Sequence, residues 1–201
     1  MKNIILLGGA PAIGKSIVAK KIADQLRVPC ISTDDIRAEM RTRENKSGSP
    51  SLFSLDKTTV SDPADFLSAI SVDDLLNVVD EECREVWRGV SNIIDNSKDG
   101  ESFIIEGVAI LPEKAAILER QKNNVKAIIL INSDPELIRN TIYSRGLGGS
   151  PNLFSEELRR KQMKWVDASN KRYEQEALKH GLEVFDIADP NHIEKIIESV
   201  N

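Results

Sequence analysis

One segment strongly restricts how this chain can fold. The apolar stretch Asn3–Leu7 is followed directly by a loop that matches the pattern GxxxxGK[S/T], namely Gly9-Ala10-Pro11-Ala12-Ile13-Gly14-Lys15-Ser16. Glycines in this pattern allow successive backbone N–H groups to converge on an anion, and the N-terminus of the following helix adds a partial positive charge. A chance glycine-rich turn would not need a strand before it and a helix after it. The segment therefore predicts a loop that binds the phosphates of a nucleoside triphosphate.

The predicted loop contains two side chains with a chemical role. Lys15 can reach the β- and γ-phosphate oxygens as a mobile positive charge, and the Ser16 hydroxyl can ligate Mg²⁺. ATP and Mg²⁺ are the predicted cofactors, and residues 9–16 are all predicted to bind the nucleotide. Ile187, which ends the last apolar run, is added to this nucleotide-binding set.

Short apolar runs alternate with helical patterns along the chain. The runs predicted as strands are Asn3–Leu7, Val28–Ile31, Ser102–Ile105, Val125–Ile131 and Leu182–Ile187. The helical patterns lie at Ser16–Leu26, Asp35–Arg43, Val72–Asn96, Glu113–Asn123, Pro135–Ser144, Glu156–His180 and Asn191–Val200. This alternation predicts a doubly wound α/β fold, in which helices cover both faces of a five-stranded parallel sheet. The loop after the first strand indicates the P-loop NTPase type of this fold. The whole chain, 1–201, is predicted to form a single domain.

Composition excludes several classes of partner. The net charge is −5, so no overall basic field exists to attract nucleic acid or an anionic membrane. No apolar run approaches the roughly 18–20 residues needed to cross a bilayer. Cys30 and Cys83 have no metal-binding spacing, which favours two buried thiols and a reducing, cytoplasmic location. We expect no nucleic-acid or membrane partner, and nothing in the sequence indicates an oligomeric state.

Two aspartates follow the second predicted strand, in Ser32-Thr33-Asp34-Asp35-Ile36-Arg37. Ligands of open α/β sheets bind at the carboxyl ends of the strands. Thr33 or Asp34 is predicted to cap the next helix, which leaves a carboxylate to orient an acceptor hydroxyl or to lie near Mg²⁺. The spacing leaves open which aspartate has which role, and helix capping alone is the alternative.

A glutamate ends the third predicted strand, in Glu106-Gly107. A carboxylate here would hold a Mg²⁺-bound water, and Gly107 would allow a ligand to approach the backbone closely. Both residues are therefore predicted to line the substrate site, and Glu106 also the metal site. An ordinary charge at a strand end is the alternative.

Three arginines are candidates for binding anionic groups. Arg37 and Arg41 are four residues apart, so they share a helix face and can clamp an anionic acceptor unless they are simply solvated. Arg145 precedes a glycine-rich loop, and residues 146–155 are predicted to form a lid that brings positive charge to the migrating phosphoryl group. Residues 44–70 are predicted to form a flap on the acceptor side.

These motifs resemble the 2-phosphoglycerate kinase family. The resemblance extends from Lys2 to Phe185, and its most specific parts are the stretch 32–37 and the stretch 104–108 with Leu111-Pro112 behind it. This family belongs to the small-molecule P-loop kinases, together with zeta-toxin-like and shikimate-kinase-like enzymes. The resemblance implies a nucleotide-kinase-like sheet, ATP·Mg bound by Lys15 and Ser16, Asp34 or Asp35 facing the acceptor, and Arg145 in the lid.

The sequence therefore predicts an ATP-dependent kinase that transfers a phosphoryl group to a hydroxyl of a small anionic acceptor. The first candidate for the acceptor is 2-phosphoglycerate. A zeta-toxin-like, shikimate or antibiotic kinase and a regulatory P-loop NTPase are the alternatives. The two long connections and the lack of a guanine-reading NKxD motif disfavour the regulatory protein.

Overall fold

The computed structural model describes residues 3–45, 48–56, 63–145 and 154–200. The strands are β1 (Ile4–Gly8), β2 (Cys30–Ser32), β3 (Phe103–Gly107), β4 (Val125–Ile131) and β5 (Glu183–Asp186). The helices are α1 (Lys15–Leu26), α2 (Thr33–Arg43), α3 (Pro63–Ala69), α4 (Val72–Asp95), α5 (Pro112–Gln121), α6 (Pro135–Arg145), α7 (Glu156–His180) and α8 (His192–Val200). A 3₁₀ segment, Pro50–Asp56, lies between α2 and α3.

The strands form one parallel sheet in the order β2-β3-β1-β4-β5. This confirms the predicted fold class, and every predicted strand is present within two residues of its expected bounds. Because β1 lies between β3 and β4, the residues that follow these three strands meet at one edge of the sheet.

Both faces of the sheet are buried, which explains why the strands are continuous apolar runs. Successive side chains of β1 alternate between the faces: Ile4 and Leu6 pack in one core cluster, whereas Ile5 and Leu7 pack in the other. Helices α4 and α5 contribute to the first cluster, and α1 and α8 to the second.

Local sequence signals set the helix ends. Ser71 accepts a hydrogen bond from the backbone N–H of Asp74 and thereby caps α4. Helix α2 differs from the expectation: its cap is Ser32, which accepts from the N–H of Asp34, and neither Thr33 nor Asp34 has that role. Both residues lie in the first turn instead.

The predicted flap has structure of its own. Within 44–70, the 3₁₀ segment and α3 are short elements that the apolar pattern does not reveal. Most of the predicted lid, 146–153, lies outside the described residues. The last residue of the predicted lid, Ser155, caps α7, because its hydroxyl accepts a hydrogen bond from the backbone N–H of Leu158.

Both cysteines are free thiols, but only Cys83 is buried, so the prediction of two buried thiols is wrong for the half-buried Cys30. In the part of the chain that the structure describes, no helix has the length and apolar character to cross a membrane.

Candidate active site

The phosphate-binding loop connects β1 to α1 at the carboxyl edge of the sheet. Gly14 caps α1 with a φ of 104°, a left-handed conformation that costs glycine little and other residues much more. Ile187, from the loop after β5, lies against this glycine, since a Cβ on Gly14 would be 3.3 Å from Ile187 Cδ1. The predicted nucleotide-binding residue Ile187 is therefore adjacent to the loop.

Lys15 is folded back across the loop. Its side chain is largely buried, and Nζ donates a hydrogen bond of 2.6 Å to the carbonyl oxygen of Ala10. The ammonium group is thus held over the loop backbone, where it can also reach a phosphate.

Ser16 and Glu106 come together although 90 residues separate them. The Ser16 hydroxyl donates to Glu106 Oε1 at 2.9 Å. The cause is the parallel register, which pairs Glu106 with Leu7 and Gly107 with Gly8 and so places the carboxylate beside the start of the loop. Glu106 is 5% exposed, so the carboxylate is largely removed from solvent.

The start of α2 is packed tightly against the end of β3. A Cβ on Gly107 would lie 1.8 Å from Thr33 Oγ1, and the φ of Gly107 is 146°. Only glycine at position 107 leaves room for the Thr33 side chain to come this close to the backbone of β3. The register between β2 and β3 also pairs Ser32 with Glu106, so the first turn of α2 lies at the same edge as the loop.

Asp34 and Asp35 are both exposed in this first turn, where the positive end of the helix dipole favours carboxylates. Asp34 Oδ1 is 3.3 Å from Arg37 Nη2, one turn further along α2. The aspartates are accessible to a ligand at the sheet edge.

Arg37 and Arg41 share a buried partner that the sequence analysis did not identify. Glu82 of α4 is 3% exposed, and its two carboxylate oxygens face one arginine each. Arg41 Nη2 is 2.6 Å from Oε1, whereas Arg37 Nη1 is 3.7 Å from Oε2. Arg41 is therefore held more closely than Arg37.

Arg41 also holds the predicted flap. Its Nε donates to the carbonyl of Leu52 at 3.0 Å, and its guanidinium carbon lies 5.1 Å from the centre of the Phe53 ring. The 3₁₀ segment is thus attached to α2 and α4 through this arginine.

The loop that follows β3 is anchored at its first residue. Tyr173 of α7 donates a hydrogen bond from its hydroxyl to the carbonyl oxygen of Val108, and burial raises the pKa of Tyr173 well above its usual value.

The Cys30 thiol near Glu106 has a raised pKa. Burial is the larger cause, the negative charge of Glu106 is the next, and the positive charge of Lys20 acts in the opposite direction. The Cys30 thiol and the Tyr173 phenol therefore both stay neutral near pH 7.

The site residues fit a Mg²⁺ ion that takes most of its ligands from phosphates and water. Within the described ranges, no three His, Cys, Asp or Glu side chains are close enough to hold a metal by themselves. The Ser16 hydroxyl and the Glu106 carboxylate are two hard oxygen groups beside the phosphate-binding loop that could hold the ion. This donor set suits Mg²⁺, which in phosphate sites binds one or two protein groups.

The structure thus brings the loop, Glu106, Gly107 and the two aspartates to one edge of the sheet. The side chain of Arg145, at the end of α6, lies outside the described part of the chain, so its predicted role stays a prediction. Sequence reasoning did not find Glu82 or Tyr173, because both lie among charged residues in the sequence and only the folded chain shows that Glu82 is buried and Tyr173 half-buried.

Known proteins resemble this chain in sequence. Residues 4–95 match a family model described as an AAA domain, and this stretch contains the phosphate-binding loop. The 2-phosphoglycerate kinase of Methanothermobacter thermautotrophicus is 29% identical over 208 residues, which cover 98% of this chain and 65% of that protein. The 2-phosphoglycerate kinase of Methanocaldococcus jannaschii is 30% identical over 145 residues, which cover 71% of this chain and 46% of that protein.

The chain is similar to these two kinases over 98% and 71% of its length. Its resemblance to 2-phosphoglycerate kinases, first indicated by the motifs, is confirmed. The chain spans between 46% and 65% of the length of those two relatives.

Solved structures show the same fold. The shikimate kinase of Bacteroides thetaiotaomicron superposes with a TM-score of 0.55 at 15% identity, over 98% of this chain and 95% of that chain. The shikimate kinase of Acinetobacter baumannii gives a TM-score of 0.52 at 14% identity, over 100% and 90% of the two chains.

Proposed function

We propose that this protein transfers the γ-phosphoryl group of ATP to a hydroxyl group of a small anionic acceptor. The observation that supports this most directly is the hydrogen bond between Ser16 and Glu106 beside the phosphate-binding loop. It pairs a Mg²⁺-binding hydroxyl with a strand-end carboxylate, and Asp34 and Asp35 lie at the same sheet edge. A phosphoryl donor and an acceptor can meet there.

On the nucleotide side, the backbone N–H groups of residues 9–16 and the ammonium group of Lys15 bind the phosphates. Ser16, Glu106 and Asp35 are the residues that would hold Mg²⁺, directly or through water. When bound, Mg²⁺ neutralises part of the triphosphate charge. Arg145 is proposed to add positive charge near the γ-phosphate.

On the acceptor side, Asp34 orients the hydroxyl and takes its proton as the reaction proceeds. The hydroxyl oxygen forms a bond to the γ-phosphorus, and the bond from that phosphorus to the β–γ bridging oxygen breaks. ADP leaves with the electrons of the broken bond. Most of the acceleration in such a transfer comes from positioning and charge neutralisation.

An acid is the proposed acceptor class because Arg37 is available to bind one. Its side chain is 34% exposed, and its ion pairs, at 3.3 and 3.7 Å, are longer than the 2.6 Å pair of Arg41. Arg37 can therefore exchange an internal partner for a carboxylate or phosphate of the acceptor, while Arg41 retains Glu82. The relatives that are named 2-phosphoglycerate kinases make 2-phosphoglycerate the first candidate.

A screen for ADP release tests this proposal. The purified protein with ATP and Mg²⁺ is assayed against 2-phosphoglycerate, 3-phosphoglycerate, glycerate, shikimate, gluconate and a neutral aminoglycoside. We expect the highest kcat/KM with a phosphorylated acid, and no turnover by Lys15→Met, with Lys21→Met as the control on the exposed face of α1. Preference for the neutral acceptor would contradict the proposed substrate class.

A further inference from the structure

A buried asparagine contacts the phosphate-binding loop from the neighbouring strand. Asn132 is the first residue after β4 and is 2% exposed. Its Nδ2 donates to the carbonyl oxygen of Ile13 at 3.1 Å, and its Oδ1 accepts from the backbone N–H of Asp134 at 2.9 Å. The carboxamide thus has one fixed orientation, with its donor directed at the loop.

A second asparagine holds the first one in place. Asn170, in the middle of α7, accepts from the backbone N–H of Asn132 at 3.2 Å and donates to its carbonyl at 3.0 Å. One side-chain amide therefore satisfies both backbone groups of Asn132, as a neighbouring strand would. This ties the end of β4 to α7.

The bond to Ile13 fixes a peptide whose orientation matters for anion binding. In a trans peptide, the carbonyl of Ile13 and the N–H of Gly14 point in opposite directions. Directing the carbonyl toward Asn132 therefore directs the Gly14 N–H away from it. Gly14, at a φ of 104°, has no Cβ to oppose rotation of this peptide, so an external contact is needed to hold it.

We propose that Asn132 is a positioning residue that sets the Ile13–Gly14 peptide for nucleotide binding, and that Asn170 acts through Asn132. The inference rests on nucleotide binding at this loop, which is part of the proposed function. Its consequence is that a residue of α7, outside the loop and outside the predicted site, contributes to the affinity for ATP.

Isosteric variants test this inference through the dissociation constant of ATP·Mg²⁺, measured by isothermal titration calorimetry without an acceptor. Asn132→Asp replaces the donor with an oxygen that faces the Ile13 carbonyl, and Asn170→Asp removes the donor to the Asn132 carbonyl. Asn96→Asp is the matched control, because Asn96 Nδ2 donates to the Asn92 carbonyl at 2.7 Å near the end of α4.

We expect Asn132→Asp to weaken binding by about 5- to 50-fold, which corresponds to the loss of one buried hydrogen bond with an unpaired acceptor left behind. Asn170→Asp should weaken binding about fivefold, and Asn96→Asp should leave the dissociation constant unchanged. In the Asn132→Asp background, Asn170→Asp should have no further effect on the dissociation constant, since the bond to Ile13 is already gone.

A merely structural role would lower the melting temperature of the variants without changing the dissociation constant, and that result would overturn the inference. If Asn132→Asp does not fold, the dissociation constant of Asn170→Ala tests the inference instead. This variant should fold, because Asn170 is only half-buried and alanine is favourable in a helix. Equal affinity of Asn170→Ala and the wild type would overturn it. Failure of the wild type to bind ATP would instead contradict the proposed function, and with it this inference.

Discussion

The hydroxyl of Ser16 donates to Glu106 Oε1 across 2.9 Å, joining the first turn of α1 to the end of β3. Glu106→Gln keeps the size of the side chain and can still accept this hydrogen bond, but it removes the negative charge. We expect kcat/KM to fall by about 100-fold or more and the Mg²⁺ requirement to rise. Initial rates over a Mg²⁺ titration check this.

Glu183→Gln is the control for that variant, because Glu183 lies at the amino end of β5, away from the loop. Its rates should match those of the wild type. A Glu106→Gln enzyme with the same Mg²⁺ dependence as the wild type would exclude Glu106 from the metal site.

The two aspartates of α2 should differ in their effects. We expect Asp34→Asn to lower kcat while the KM for ATP is kept, because the role proposed for Asp34 is to take the acceptor proton. Asp35→Asn should change the dependence on Mg²⁺ instead. Steady-state kinetics with each substrate varied in turn distinguish these outcomes. If both variants resemble the wild type, the pair serves only the helix N-terminus.

Arg41→Ala should destabilise the fold, because it leaves the buried Glu82 carboxylate without its closer partner and releases the Leu52 carbonyl. We expect a loss of about 3 kcal/mol in the free energy of unfolding, measured by urea denaturation. Arg43→Ala is the matched control on the same helix, since its pair with Glu39 is exposed and should contribute less than about 1 kcal/mol. Equal losses in the two variants would contradict this account of Glu82.

Arg37→Ala should act on the acceptor instead of the fold. We expect the KM for an anionic acceptor to rise by about tenfold or more, with the KM for ATP unchanged, because a charge-assisted hydrogen bond to the acceptor is lost. An unchanged acceptor KM would remove Arg37 from the substrate site.

Stability should decrease in alkali because of Cys83. Burial, followed by the negative charges of Asp80 and Glu82, raises the pKa of this thiol from 9.0 to about 12. Between these values the unfolded chain loses the proton while the folded chain keeps it, so the free energy of unfolding falls as pH rises from 9 toward 12 and is unaffected below 9. Urea midpoints at pH 7, 9 and 10.5 should show this fall, and Cys83→Ala should show a smaller one.

Local patterns predicted much of this molecule. The strand bounds and the loop follow from apolar runs and a spaced motif, and Glu106 follows from its place at a strand end. The contacts of Glu82 with Arg41 and of Asn132 with Ile13 join residues 41 and 119 positions apart, so tertiary packing determines them and no local pattern marks them. The cap of α2 was misassigned because Ser32, Thr33 and Asp34 all have side chains that can cap a helix.

The most direct test of the central claim follows the γ-phosphate itself by ³¹P NMR. The protein is incubated with ATP, Mg²⁺ and 2-phosphoglycerate, with Lys15→Met as the inactive control. The proposed function predicts that the γ-phosphate resonance is replaced by a new phosphomonoester resonance that appears only with the acceptor. Release of inorganic phosphate at the same rate with and without acceptor would contradict it and would indicate a nucleoside triphosphatase.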